Sequence, residues 1–397
     1  MVSERKGRVV QFSLAIVASI ISIHLFFLIQ NASIEGLDKK NNVVIFEEEG
    51  EGETHPSFST TALKVYILCG QSNMVGHAKV SVMENQLDMS HTRKRWAQFR
   101  MGNNSGWTNN DNVYVHAVVD GKVVSGPLSV GFGGSSNEIG PEFAFGHKIA
   151  KYHKNDRVLL VKAAWGGKSL YRDFKSPSAA FPTEDFMEEE HQGHYKGLSM
   201  EDYKKTFGVY YQNMMNHITT TLMNYSSILQ PVSSQGTDGK GKLIPTRYEV
   251  MGFVWFQGWN DQFSDYARNN YRENLINFIR DVRSDLKQPN LPFVIGALGV
   301  GGLKKMREHG PNKITEAQIA VSQHEDFLNT VRTVSTAELW DEEAEEAFAT
   351  WRTNPKKWAK FGSDRPYHYL GSPFFFYNAG SAFAEAIIEL LESQSHT

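Results

Sequence analysis

Short apolar runs alternate with longer amphipathic stretches through most of the chain. Val65-Tyr-Ile-Leu68 is the first such run; it is β-branched, aromatic and aliphatic, and closed off by Gly70, so it reads as a buried strand. Comparable runs at 113–118, 158–163, 250–256, 293–298 and 331–335 predict further strands. Between them, apolar residues recur at three- and four-residue spacing over 142–151, 201–225, 266–285, 314–327 and 376–391, which predicts helices with one face on a core. Strands alternating with helices predict an α/β fold, a three-layer α/β/α sandwich whose mainly parallel sheet is covered on both faces. No internal repeat interrupts the pattern.

The amino-terminal part breaks it. Arg5, Lys6 and Arg8 precede residues 9–29, which hold no Asp, Glu, Lys or Arg and approach the ~20 residues needed to cross a bilayer. Basic residues on that side keep the amino end cytosolic and send the rest to the lumen or exterior, as in a single-pass type II membrane protein. The competing reading is a cleaved signal peptide, whose apolar region is usually ~7–15 residues. The nearby small-residue site around Ala32 also carries Gln30 where a small residue is expected. Both readings place the remainder in the secretory pathway, membrane-attached or secreted. Residues 32–62 are acidic around 47–53 and then rich in Ser and Thr, the composition of a flexible stem. The expected organisation is thus 1–31 tail and membrane segment, 32–62 stem, and 63–397 one large domain. Glycosylation triplets at Asn31, Asn103 and Asn224 agree with luminal exposure.

With 397 residues, 41% of them hydrophobic, the chain has material for a sizeable core. A net charge of -3 and a pI near 6.5 give no electrostatic footprint for nucleic acid. The single cysteine, Cys69, rules out intramolecular disulfides. It lies three residues before Ser72, but strand alternation puts its thiol among apolar residues, where a raised pKa keeps it inert. The glycine-rich loops at 128–136 and 299–303 lack a full GxGxxG or Walker pattern, and 188–194 lacks HExxH. Neither a cofactor nor a metal is expected.

The candidate chemistry lies elsewhere. Gly70 lets the chain turn sharply after the first strand, which places Ser72, flanked by Gln71 and Asn73, just beyond its carboxyl end, where parallel sheets hold their ligands. As a bare tetrapeptide Gly-Gln-Ser-Asn is equally an ordinary polar turn. Phe253-Val-Trp-Phe-Gln-Gly-Trp-Asn-Asp261 repeats the arrangement, and Ser363-Asp-Arg-Pro-Tyr-His368 adds a carboxylate and a histidine four residues apart. Serine early, amides in the middle and Asp/His late are the inventory of a hydrolase with nucleophile, oxyanion donors and base.

These blocks, with Ile139-Gly-Pro-Glu142 between them, resemble the SGNH (GDSL-like) hydrolase superfamily, in its sialate O-acetylesterase-like carbohydrate esterase branch. Ala164-Trp-Gly-Gly-Lys-Ser169 and Tyr367-His-Tyr-Leu-Gly-Ser372 are similar to phrases of that branch, and the resemblance runs from about residue 64 to about 391. It implies a flavodoxin-like sandwich and a cofactor-free esterase acting on an O-acetylated carbohydrate through an acyl-enzyme. Ser72 is then the nucleophile, His368 the base and Asp364 the orienting acid. The oxyanion is met by the backbone of Ser72, the backbone of Gly140 and a side-chain amide, Gln257 first and Asn260 second. Gln71 and Asn73, with Trp165, Gly166, Gly167 and Trp259 at the mouth, are the implied substrate contacts.

Two positions depart from the pattern. The acid usually lies three residues before the histidine, whereas position 365 is an arginine and Asp364 lies four before His368, so Asp364 is read either as the acid or as a turn-initiating residue. Trp259 stands where relatives often carry Glu. A glycan-binding protein without turnover and a lipid-directed esterase of the same superfamily are the rival readings; the second calls for a broad apolar groove. The sequence leaves the sugar, the acetyl position and the oligomeric state open.

Overall fold

The computed structural model describes residues 62–102, 106–229, 245–310 and 312–395. The expected membrane segment, the stem and two of the glycosylation triplets lie outside them. Asn224 lies within, exposed at the carboxyl end of the helix Val209–Met223.

Seven strands form the main sheet in the order β4-β3-β6-β1-β7-β8-β9, where β1 is Leu63–Gly70, β3 Asn110–Val119, β4 Lys122–Leu128, β6 Val158–Ala164, β7 Tyr248–Phe256, β8 Phe293–Ala297 and β9 Val331–Ser335. All neighbours pair in parallel except β3 with β4. A separate two-residue pairing joins β2, Ala78–Lys79, to β5, Glu138–Ile139. Every strand expected from the sequence is present, so the α/β sandwich with a mainly parallel sheet stands.

Alternation along β1 makes the two cores. Val65, Ile67 and Cys69 join one apolar cluster with the helices Val209–Met223, Asp265–Asp285 and Lys313–Ser322. Tyr66 and Leu68 join the other, under the helices Pro141–Tyr152 and Pro373–Ser395. Cys69 is fully buried and its thiol is pushed up by that burial, so it is core filler. Among the described residues one helix, Pro373–Ser395, is long and apolar enough to span a bilayer. Its apolar side, including Phe376, Phe383, Ile387 and Leu390, is buried in the core instead.

The sheet order sets the place of the site. From β1 the chain first builds β3, β4 and β6 on one side, then β7, β8 and β9 on the other, so β1 is the switch point, beyond whose carboxyl end sheets of this kind hold their ligands. Gly70 is in register with Ala164 of β6 and Phe256 of β7, so three adjacent strands end at one level and release their loops side by side.

Candidate active site

Gly70 permits the first of these loops to leave. A Cβ there would lie 2.2 Å from the Phe256 carbonyl oxygen, so only glycine allows β1 and β7 to approach so closely at their ends. The chain then enters a single helical turn, Ser72–Val75, which Gly76 ends at φ 86° against the backbone of Gly140. Ser72 is buried to 7% exposure, and its hydroxyl makes no hydrogen bond among the described residues.

Asp364 and His368 arrive from the far end of the chain. His368 Nδ1 faces Asp364 Oδ2 at 2.9 Å. With that nitrogen as donor, Nε2 is the basic nitrogen of the ring. Burial alone raises the Asp364 carboxyl, but hydrogen bonds from His368 and the Arg365 N–H, together with the charge of His368, outweigh it and hold Asp364 below the usual carboxylate range. Asp364 is therefore the partner of His368, and the spacing of four is accommodated by a short 3-10 segment, Pro366–Gly371, whose backbone turns left-handed at Tyr369 and Leu370.

Three contacts fasten this loop to the turn that carries Ser72. Asn73 Nδ2 donates to the Tyr367 carbonyl at 3.2 Å across 294 residues of sequence. Ser363 Oγ donates to the His77 carbonyl at 3.1 Å. The ring of His77 stacks on that of His368 with centroids 4.3 Å apart and planes 23° from parallel. Burial, reinforced by the charge of His368, lowers His77 to about 4, so it is a neutral prop near pH 7. His77, Asp364 and His368 present ligand atoms within 4.8 Å of one another. In that cluster His368 Nδ1 and Asp364 are already engaged with each other, and the two rings pack face to face.

Several expected site residues have other partners. Gly140 donates its N–H to Glu142 Oε1 at 2.8 Å, so its only backbone hydrogen is engaged. Gln257 is 1% exposed, and its Nε2 donates to the Lys168 carbonyl and to Asp261 Oδ2, which uses both amide hydrogens. Asn260 Nδ2 donates only to the Gly167 carbonyl, at 2.8 Å, and keeps one hydrogen without a partner among the described residues. Of the two amides expected as oxyanion donors, Asn260 keeps a free hydrogen and Gln257 keeps none among the described residues. Gln71 is a strap: its Oε1 accepts from Gly258 N and Asn260 N, and its Nε2 donates to Asn260 Oδ1. Gln71 and Asn73 are each 1% exposed and hold loops together, so neither opens to a substrate. Trp165 is also buried, packed on Phe174 and Tyr210 as core. Gly166, Gly167 and Trp259 do lie at the open edge, Gly166 tied to Asp120 Oδ1 and Gly167 exposed.

Two buried ionic devices hold the floor. Lys162, in the middle of β6, donates to Glu142 Oε2, the Val75 carbonyl and the Phe132 carbonyl, all within 2.8 Å, with both charged side chains at 0% exposure. A lysine in the otherwise apolar Val158-Leu-Leu-Val-Lys-Ala-Ala164 was the readable sign of such a pair. Asp261 accepts from Leu170 N, Tyr171 N and Gln257 Nε2, which ties the loop after β6 to the turn after β7. Its full burial raises the carboxyl to about 6 even against those hydrogen bonds. His77, five residues after Ser72, carried no sequence signal beyond that proximity.

The chain matches the family described as carbohydrate esterase, sialic acid-specific acetylesterase, over residues 62–352, a span that ends before Asp364 and His368. No curated protein sequence is significantly similar to it. Among solved structures, a protein from Arabidopsis thaliana aligns at 16% identity and TM-score 0.43, covering 83% of this chain and 98% of that one. A carbohydrate acetylesterase from Xanthomonas citri aligns at 13% and 0.41, covering 81% and 55%. A carbohydrate esterase family 2 enzyme with a carbohydrate-binding domain, from Corynascus thermopiles (Myceliophthora fergusii), aligns at 12% and 0.36, covering 85% and 69%. The chain belongs to the sialic acid-specific acetylesterase family of carbohydrate esterases.

Proposed function

We infer that this carbohydrate esterase removes acetyl groups from sugars through a serine acyl-enzyme. The observation that carries the reading is the docking of the Asp364–His368 pair onto the turn of Ser72 through Asn73, Ser363 and His77. His368 Nε2 takes the proton of the Ser72 hydroxyl as Oγ attacks the acetyl carbonyl, then returns it to the departing sugar oxygen. Water, activated by the same nitrogen, attacks the acetyl-serine ester, and the tetrahedral intermediate collapses to acetate with Ser72 regaining its proton. Asp364 orients the ring and stabilises it while it is positive. The Ser72 N–H and the remaining hydrogen of Asn260 Nδ2 are the donors assigned to the oxyanion, since those of Gly140 and Gln257 are engaged. Loss of one such donor typically lowers turnover by about 10²–10³.

The test is acetate release from a panel of O-acetylated glycans by the full chain, beside Ser72→Ala. The variant is expected to keep its fold and lose turnover to background; acetate release at the parent rate rejects Ser72 as nucleophile. Hydrolysis of long-chain acyl esters in preference to acetylated sugars moves the assignment to a lipid-directed esterase. Retention of glycan binding by the parent without any acetate release moves it to a binding protein.

A further inference from the structure

Three aromatic rings lead outward from His368. Tyr367 meets the His368 ring edge-on with centroids 4.5 Å apart, Trp259 lies 5.9 Å from Tyr367, and Phe263 lies 5.9 Å from Trp259. Phe263 is 71% exposed and Tyr367 40%, whereas Trp259 is half-buried between them. Large rings left in water beside a candidate active site, and contiguous with it, are the surface on which a ligand gains most by docking.

Their supports are rigid although their faces are open. Trp259 precedes and Phe263 ends a single 3-10 turn, Asn260–Phe263, pinned from beneath by the fully buried Asp261. Tyr367 is held by its backbone, whose carbonyl accepts from Asn73, which leaves the side chain unconstrained by that bond. The turn also presents Asn260, half-buried beside Trp259, whereas the amide nitrogen of Gln262 is buried beneath it. Open apolar ring faces match a sugar ring, which stacks through its C–H face. An acyl chain asks instead for an enclosed apolar groove. The ledge also extends too far for one sugar: when an acetyl group is at Ser72, Tyr367 is next to the reacting unit, and Phe263 lies two ring steps beyond it.

We propose that Tyr367, Trp259 and Phe263 form a stacking ledge for the sugar units that adjoin the acetylated one, so that the substrate is a glycan chain and not a free monosaccharide. This rests on the esterase reading of the site. Phe263 is the outermost specificity residue, and neither its ring nor that of Tyr367 takes part in the chemical step.

The experiment compares kcat/KM of the full chain on 4-nitrophenyl acetate and on ladders of partly O-acetylated xylo-, manno- and sialo-oligosaccharides of one to four units. On the best-hydrolysed backbone, kcat/KM is expected to rise about tenfold from one unit to three, and Phe263→Ala and Tyr367→Ala each to remove most of that rise. A rate independent of length, or a rise that survives both substitutions, overturns the ledge. Hydrolysis of 4-nitrophenyl acetate with no ladder cleaved overturns the chain-substrate proposal and leaves an esterase. No hydrolysis of any ester removes the esterase reading and the ledge with it.

Discussion

The turn after β1 and the loop bearing Asp364 and His368 meet at one site but are held there by different means. Ser72 is placed by the sheet: β1 is buried on both faces, Gly70 is in register with the ends of two neighbours, and Lys162 and Glu142 brace the turn from below. The His368 loop does not leave from a strand end but follows the short helix Pro355–Trp358. Its position comes from side-chain contacts reaching across the molecule and from the buried ring of Tyr369, stacked on Phe375 with centroids 3.7 Å apart. The family match ends at residue 352, so it covers the first region and stops short of the second. A nucleophile fixed by backbone registry tolerates side-chain changes nearby, whereas a base fixed by a few polar contacts is exposed to each of them.

The largest expected effect comes from breaking the second region at its functional pair. Asp364→Asn removes the carboxylate that orients His368 Nδ1 and stabilises its charged form. A fall in kcat of about 10²–10⁴ with little change in KM is expected, measured as acetate release under saturating substrate. A rate near that of the parent would place the acid elsewhere, and the contrast between the two regions would then rest on packing alone.

The same contrast decides what was legible in the sequence. The run Val65–Leu68, the glycine that follows and the helical spacing of 266–285 are local, and each lies within the observed element. Helices expected over 201–225 and 314–327 are broken instead. Gly208 adopts φ 75° before Val209–Met223, and Lys313–Ser322 gives way to a 3-10 turn at Glu325–Phe327, although the apolar spacing continues across both breaks. The edge strand β4 was not expected, because it is largely exposed and carries Pro127. In the site, Ser72, Asp364 and His368 were readable as residue types in order. Which amide is engaged was not readable, since the partners of Gln71 and Asn73, and the Lys168 carbonyl that takes the second hydrogen of Gln257, lie 89 to 294 positions away.

The floor beside the first region, where Asp261 ties the loop after β6 to the turn after β7, is sharpened by pH. Asp261 has its carboxyl raised by burial to about 6 from an ordinary value of 3.8. A group that binds its proton more tightly when folded contributes stability fully present below its unfolded value and lost as pH rises through the folded one. From pH 7 down to about 4, Asp261 therefore adds stability on the order of 3 kcal/mol. His77, His147 and His217, each lowered to about 4 chiefly by burial, act oppositely as pH falls from 6.5. The wild-type curve alone mixes the two. Denaturant unfolding of wild type and Asp261→Asn across this range separates them: the wild type should gain on the variant as pH falls. A pH-independent gap would mean that Asp261 is ionised at an ordinary value and that its three N–H partners fully offset its burial.

The smallest effect probes how the second region is anchored. Tyr369 OH bonds to Thr336 Oγ1 at 2.6 Å and accepts from Gly299 N at 3.0 Å, deep beneath the loop. Above it, Tyr369 and Leu370 hold φ of 49° and 64°, a left-handed pair that costs roughly 1–2 kcal/mol per residue and persists only because its surroundings fix it. Tyr369→Phe keeps the ring stacked on Phe375 but leaves the Gly299 N–H and the Thr336 hydroxyl without this partner, a cost of about 1–3 kcal/mol. Thermal unfolding should shift down by a few degrees. If the hydroxyl is what holds the left-handed pair, kcat should also fall several-fold as His368 wanders, with KM for a small acetyl ester nearly constant. A lowered melting point with kcat intact would show that Asn73, Ser363 and His77 alone keep the base in place. The loop would then be fixed from the nucleophile's side, and the two regions would form a single support.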